Sequence, residues 1–105
     1  MIRSVPNSIE AEKAVLNAIF LSKSAQDLAF ETIDESAFYY DNNRKIFNAL
    51  KSLYDASIPI DMTTITTELR NKGDLESIGG VIYLTEVLTT ESTAANINYY
   101  LKSLL

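Results

Sequence analysis

Cysteine, histidine and tryptophan are all absent from this chain, and its 105 residues include only three glycines and two prolines. Without cysteine there is no disulfide framework and no thiolate metal site, and nothing argues for secretion. Without histidine the usual neutral-pH base is gone, and with both missing so are most zinc ligands. Positive charge is scarce: nine lysines and arginines stand against fourteen aspartates and glutamates, for a net charge of −5. A phosphate backbone is repelled on average, and the basic stripe by which an autonomous DNA binder displaces counterions is not evident. The bases are scattered singly or in pairs such as Arg44-Lys45 and Arg70/Lys72, while Ser24 to Asn43 has five acids and no base. That acidic stretch reads as a solvated face, with a docking patch for a basic partner as the alternative. No apolar run approaches the roughly 18 residues that span a bilayer, and MIRSVPNSIEAEK lacks the apolar core of a signal peptide. The expectation is a cytoplasmic chain with no membrane partner.

Period-2 alternation is missing as well. Ile58 to Ile60 is too short and contains Pro59, so strand content should be near zero. What is present is helical periodicity in a chain long enough for one domain, which at this size buries about two-thirds of the surface its unfolded form exposes. The fold expected is all-α, a compact bundle of about six helices joined by short loops.

Asn7 or Ser8 caps the first helix, and Asn7 with Glu10 has capping-box spacing. Ala11, Val15, Ala18, Ile19 and Ser22 fall on one face, and Ile9, Leu16 and Phe20 widen it, so this helix should be packed on more than one side. Glu10, Glu12 and Lys13 are left for solvent or a partner. A second helix fits Ala25 to about Ile33, with Leu28, Ala29 and Ile33 inward. Phe38-Tyr39-Tyr40 reads as a core plug closing one end of the bundle; a base-stacking platform would want flanking Lys or Arg in place of Asp41. Asp41 or Asn42 caps a helix from about Asn43 to Ala56, marked by Ile46, Phe47, Leu50, Leu53 and Tyr54.

Pro59 to Leu88 carries the densest local instructions. Asp61 sits at an N-cap with Ile60 and Ile65 at hydrophobic-staple spacing, opening a helix from about Met62 to Lys72 that Gly73 ends. Asp74 starts a short turn through Leu75 and Ile78, and Gly79-Gly80 breaks the chain before Val81, Leu84, Val87 and Leu88 mark the inner face of another helix. Ser92 or Thr93 caps a last helix carrying Ile97, Leu101, Leu104 and Leu105, which has no stop signal, so the parent chain is expected to continue.

Chemistry is thin. Carboxylate neighbours such as Glu10/Glu12 and Asp34/Glu35 point apart on a helix, and no G-x-x-x-x-G-K-[ST] is present to cradle a nucleotide. Gly79-Gly80 reads as a tight inter-helix turn in preference to a phosphate site. Residues 41–72 could serve as a helix-turn-helix with Thr63, Thr66, Thr67, Arg70 and Lys72 on the reading helix, but acidic surroundings oppose docking on DNA. No catalytic, cofactor-binding or metal-ligating residue is expected, which leaves interaction or scaffolding as the default class.

A string of matched segments carries a more specific signal. Pro6, Ser8-Ile9-Glu10-Ala11-Glu12 with Val15-Leu16, Phe38-Tyr39 with Ile46-Phe47, and Ile60-Asp61 with Thr64 occur in one order. They are followed by Gly73, Leu75, Ile78-Gly79-Gly80 with Tyr83-Leu84 and Leu88, then Thr93-Ala94-Ala95-Asn96 with Tyr99-Tyr100. From about Pro6 to Leu105 the chain resembles the N-terminal domain of the DnaB-type replicative DNA helicases. The resemblance implies a helical head, residues 1–93, followed by the start of the first helix of a hairpin, residues 94–105, with the C-terminal motor absent. It implies that heads and hairpins of six subunits pair as dimers into a collar, so Ile97, Tyr100, Leu101, Leu104 and Leu105 are candidate oligomerisation residues. It also implies docking of the primase C-terminal domain, and of a helicase loader, with Glu10 and Tyr83 at matching positions as candidate partner contacts. ATP and magnesium would belong to the motor, and DNA would be reached only through the parent hexamer. The alternatives are the related helicase-binding domain at the end of a primase, against which an early Met1 argues, and a small helix-turn-helix DNA binder.

Overall fold

Most helices begin where the sequence supplies a capping side chain. In the computed structural model, which describes residues 8–89 and 97–104, Ser8 accepts a hydrogen bond from the Ala11 amide at 3.1 Å and opens α1, Ile9–Leu21. The capping box expected of Asn7 lies outside the described residues. Ser22 has two roles: its N–H bonds the Ala18 carbonyl to close α1, and its hydroxyl accepts from the Ala25 amide to open α2, Lys23–Thr32. Helix α2 therefore starts two residues ahead of Ala25. Asp34 opens a 3₁₀ turn, Glu35–Ala37, by accepting from the Ser36 amide.

Helix α3, Asp41–Asp55, departs from the expectation: its N-cap is Tyr40, with no side-chain bond, and Asp41 lies inside the first turn. There its carboxylate still complements the helix dipole and pairs with Lys45 at 3.2 Å. Helix α4, Met62–Asn71, has the Asp61 cap that the sequence shows, and Thr64 completes a capping box with it. The Gly73 and Asp74 amides then bond the Arg70 and Leu69 carbonyls, the paired closure that needs a left-handed residue, here Gly73 at φ 78°. The same closure ends α3 through Ser57 and Ile58, with Ser57 at φ 59° despite its side chain. Residues 74–78 form one further turn, closed in the same way at Gly79, before α5, Gly80–Leu88, and α6, Ile97–Leu104.

Helix α1 is the axis of the fold, as the breadth of its apolar face requires. It packs against α2, α3, α5 and α6, and Val15, Leu16, Ala18 and Ile19 are buried among them. Helix α3 packs on α1 and α4. The aromatic stretch divides: Phe38 enters the core 5.1 Å from the Phe47 ring, whereas Tyr39 is 61% exposed. Only Phe38 is the plug. Val81 is 48% exposed, against the inward position expected for it, because α5 starts only at Gly80 and the buried residue at that end is Ile78 from the preceding turn.

The described part of the last segment does not stand apart from the head. Helix α6 lies on α1 and α2, and Ile97 and Leu101 are in the common core. The boundary at 93/94 and the Ser92 or Thr93 cap lie outside the described residues. Among the described residues there is no strand, and no helix is long and apolar enough to cross a membrane.

Candidate functional site

The two partner-contact candidates come from opposite ends of the chain, and Lys13, one turn on from Glu10, reaches Tyr83. Glu10 is exposed in the first turn of α1, where acidic side chains suit the helix dipole. Three residues on, Lys13 reaches α5: its Nζ is 2.6 Å from a Glu86 carboxylate oxygen and 5.6 Å from the centroid of the Tyr83 ring. The Lys13 ammonium is held above its ordinary pKa, first by the hydrogen bond to Glu86 and further by the charges of Glu86 and Glu10. Lys13, Tyr83 and Glu86 thus form one group between the N-terminal turns of α1 and the middle of α5, with Glu10 one turn away on α1.

Beneath it is a buried polar chain that sequence reading assigned elsewhere. Glu12, expected to be left for solvent or a partner, is 2% exposed. One of its carboxylate oxygens accepts from the Tyr39 backbone N–H at 2.7 Å, and the other from the Asn43 side-chain amide at 2.9 Å. Asn43, fully buried, in turn accepts from the Tyr83 hydroxyl at 2.6 Å. Four parts of the chain are tied by these bonds: α1, the 38–40 connection, α3 and α5. Burial pushes the Tyr83 phenol above its ordinary pKa, an effect opposed by the Lys13 charge. Tyr83 also requires glycine at 79, because a Cβ there would lie 2.8 Å from its own. The signal for Glu12 was available: it shares a helical face with Leu16 and Ile19, at i+4 and i+7. Asn43 gave none beyond its place at a helix start.

Beside this group α5 turns an apolar strip outward, with Ile82 84% exposed next to Val81. The residues can therefore offer carboxylates, a cation over an aromatic ring and uncovered apolar surface. They do not bring a nucleophile to a base, and among the described residues no group of three or more Asp or Glu is placed to hold a metal ion. An open groove of about 670 Å³ lined by Lys23, Gln26, Tyr54 and Ile58 includes neither Glu10 nor Tyr83.

The oligomerisation candidates are placed differently from the partner contacts. Ile97 and Leu101 are buried in the chain's own core, and Tyr100 and Leu104 are half-buried against it. Their neighbour Tyr99 is 70% exposed and stacks edge-on against Tyr100. Leu105 lies outside the described residues. On the helix-turn-helix face, Lys72 is 3.9 Å from Glu68, so one of its two bases has an acidic neighbour.

Comparison with known proteins gives a consistent result. Residues 4–105 match the family model described as the DnaB-like helicase N terminal domain. The chain is 48% identical over 100 residues to the replicative DNA helicase DnaC of Bacillus subtilis (strain 168), covering 95% of this chain and 22% of that protein. It is 45% identical over 98 residues to the replicative DNA helicase DnaB of Geobacillus stearothermophilus, covering 93% of this chain and again 22% of the relative. This chain thus spans about a fifth of the length of those relatives. Its fold superposes on the crystal structure of the N-terminal domain of DnaB helicase from Mycobacterium tuberculosis with a TM-score of 0.88 and 34% identity, over 94% of this chain and 71% of that one.

Proposed function

From the premise that this chain belongs to the DnaB-like helicase N-terminal domain family, we propose that it is the non-catalytic collar domain of a replicative DNA helicase, serving hexamer assembly and the docking of primase. The parent would be an ATP-dependent helicase of the cytoplasm whose motor, with its ATP and magnesium, lies in the part of the relatives that this chain does not span. DNA would be reached through the assembled parent, and a loader would be a second client of the collar. One observation supports the docking reading: Lys13, one turn on from Glu10, pairs with Glu86 and lies over the Tyr83 ring, with the uncovered side chains of Val81 and Ile82 beside it. Interfaces gain most of their affinity from a few aromatic and apolar anchors surrounded by polar contacts, and this surface has that make-up.

The test is a calorimetric titration of the chain with the C-terminal domain of the cognate primase. Micromolar binding is expected, weakened about tenfold or more by Glu10→Ala or Tyr83→Ala, since each truncation at an anchor costs more than about 1 kcal/mol. Binding that neither substitution weakens would move the docking surface away from α1 and α5. A steep salt dependence of affinity for bare DNA would instead favour a DNA-binding domain.

A further inference from the structure

We infer that Glu12, itself buried, is a positioning residue for Tyr83: acting through Asn43, it fixes the direction of the Tyr83 hydrogen bond and thereby the chemistry that Tyr83 offers to a partner. The inference rests on the docking reading above and assigns a specificity determinant within that surface. Both carboxylate oxygens of Glu12 act as acceptors. One Glu12 oxygen is occupied by a backbone N–H of Tyr39, an obligatory donor, so the other must receive a donor from Asn43. This orients the Asn43 amide with its nitrogen toward Glu12 and its carbonyl oxygen toward Tyr83. The Tyr83 hydroxyl is then compelled to donate inward, and a partner finds only its oxygen lone pair.

The consequence is a rule of recognition. With its proton committed to Asn43, Tyr83 accepts, as do the carboxylates of Glu10 and Glu86. The surface therefore suits a partner that brings donors, such as arginine or lysine side chains, around an apolar anchor for Ile82. Burial makes the order of the bonds stringent, because a buried polar group left facing its own kind is destabilising. Lys13 lies over the Tyr83 ring and Asn43 receives its hydroxyl proton, so the direction of that last bond is what Glu12 sets.

Glu12→Gln tests this with little change of shape. The glutamine oxygen must still serve the Tyr39 N–H, so its amide nitrogen faces Asn43, whose amide must turn over and present a donor to Tyr83. The bond to Tyr83 is reversed. Exchange of the Tyr83 hydroxyl proton, followed by NMR, is expected to accelerate at least tenfold in Glu12→Gln; an unchanged hydroxyl signal overturns the inference. Titration with the primase C-terminal domain then completes a cycle. Glu12→Gln should weaken binding about tenfold when Tyr83 is present but less than twofold in the Tyr83→Phe background, and additive effects overturn the inference. If the hydroxyl signal responds while Glu12→Gln and Tyr83→Ala both bind primase like the unaltered chain, the relay is supported and the docking role of Tyr83 falls. Should Glu12→Gln not fold, Tyr83→Phe decides: Glu12 should keep the Asn43 side-chain amide protons protected to within twofold, and a tenfold faster exchange overturns the inference.

Discussion

At the scale of single residues, Glu10 and Glu12 show how far apart two neighbouring acids can be in consequence. Glu10 is exposed, whereas Glu12 is buried and bonded at both oxygens. Glu12→Ala strips the Tyr39 N–H and the Asn43 amide of their acceptors and leaves a void, so a loss of about 2–4 kcal/mol in urea denaturation is expected. Glu10→Ala should stay within about 0.5 kcal/mol, as surface substitutions do. Equal losses for the two would contradict the buried relay. Composition and charge could not separate these acids. The helical register could have, since Glu12 lies in line with Leu16 and Ile19, but a charged residue on an apolar face is ordinarily assigned to its edge. Asn43 was illegible for a different reason: its partners come from residues 12 and 83, and no local pattern encodes a bond made only when distant segments meet.

Elements were read more fully than their contacts, because capping is local. Asp61, Gly73 and the break at Gly79-Gly80 are where the sequence places them, each fixed by a dihedral or a free amide within one turn. Asp61→Ala removes the acceptor for the Thr64 amide and half of a capping box, so it should lower stability by about 1 kcal/mol, measurable by thermal or urea unfolding. No change would mean that Thr64, which also bonds the Pro59 carbonyl, holds the turn alone. Two boundaries were misplaced for want of such a signal. Helix α3 is capped by a tyrosine whose side chain makes no cap bond, and α2 by Ser22, which falls on the apolar face of α1.

At the scale of the whole molecule, α6 shares one core with α1 and α2. Removing residues 97–105 would expose the sites on α1 and α2 that Ile97 and Leu101 fill. At about 1.5–3 kcal/mol for each buried aliphatic side chain, much of the roughly 5–15 kcal/mol stability of an ordinary domain is at stake. The truncated chain is expected to melt many degrees lower; an unchanged melting temperature would make α6 an accessory. Alkaline pH should loosen the same body at another place. Both the Lys13 and Tyr83 pKa values are raised in the fold, so the stability they contribute is complete below their ordinary values. It is lost as pH rises through the folded values, above about pH 10. Denaturant midpoints should therefore fall between pH 9 and 11, and less so in a Lys13→Met, Tyr83→Phe double variant.

The joint at Ser22 bears on what the domain tolerates. One residue ends α1 and starts α2, and no spacer separates them. The two helices share a hydroxyl and an amide at their junction, so unwinding the first turn of α2 takes with it the stop of α1. Such a corner has no slack: a residue added there would have to re-aim the whole of α2, Ala25 and Ala29 included, away from the core. Insertions, tags and cleavage sites engineered into this domain belong away from Leu21–Lys23.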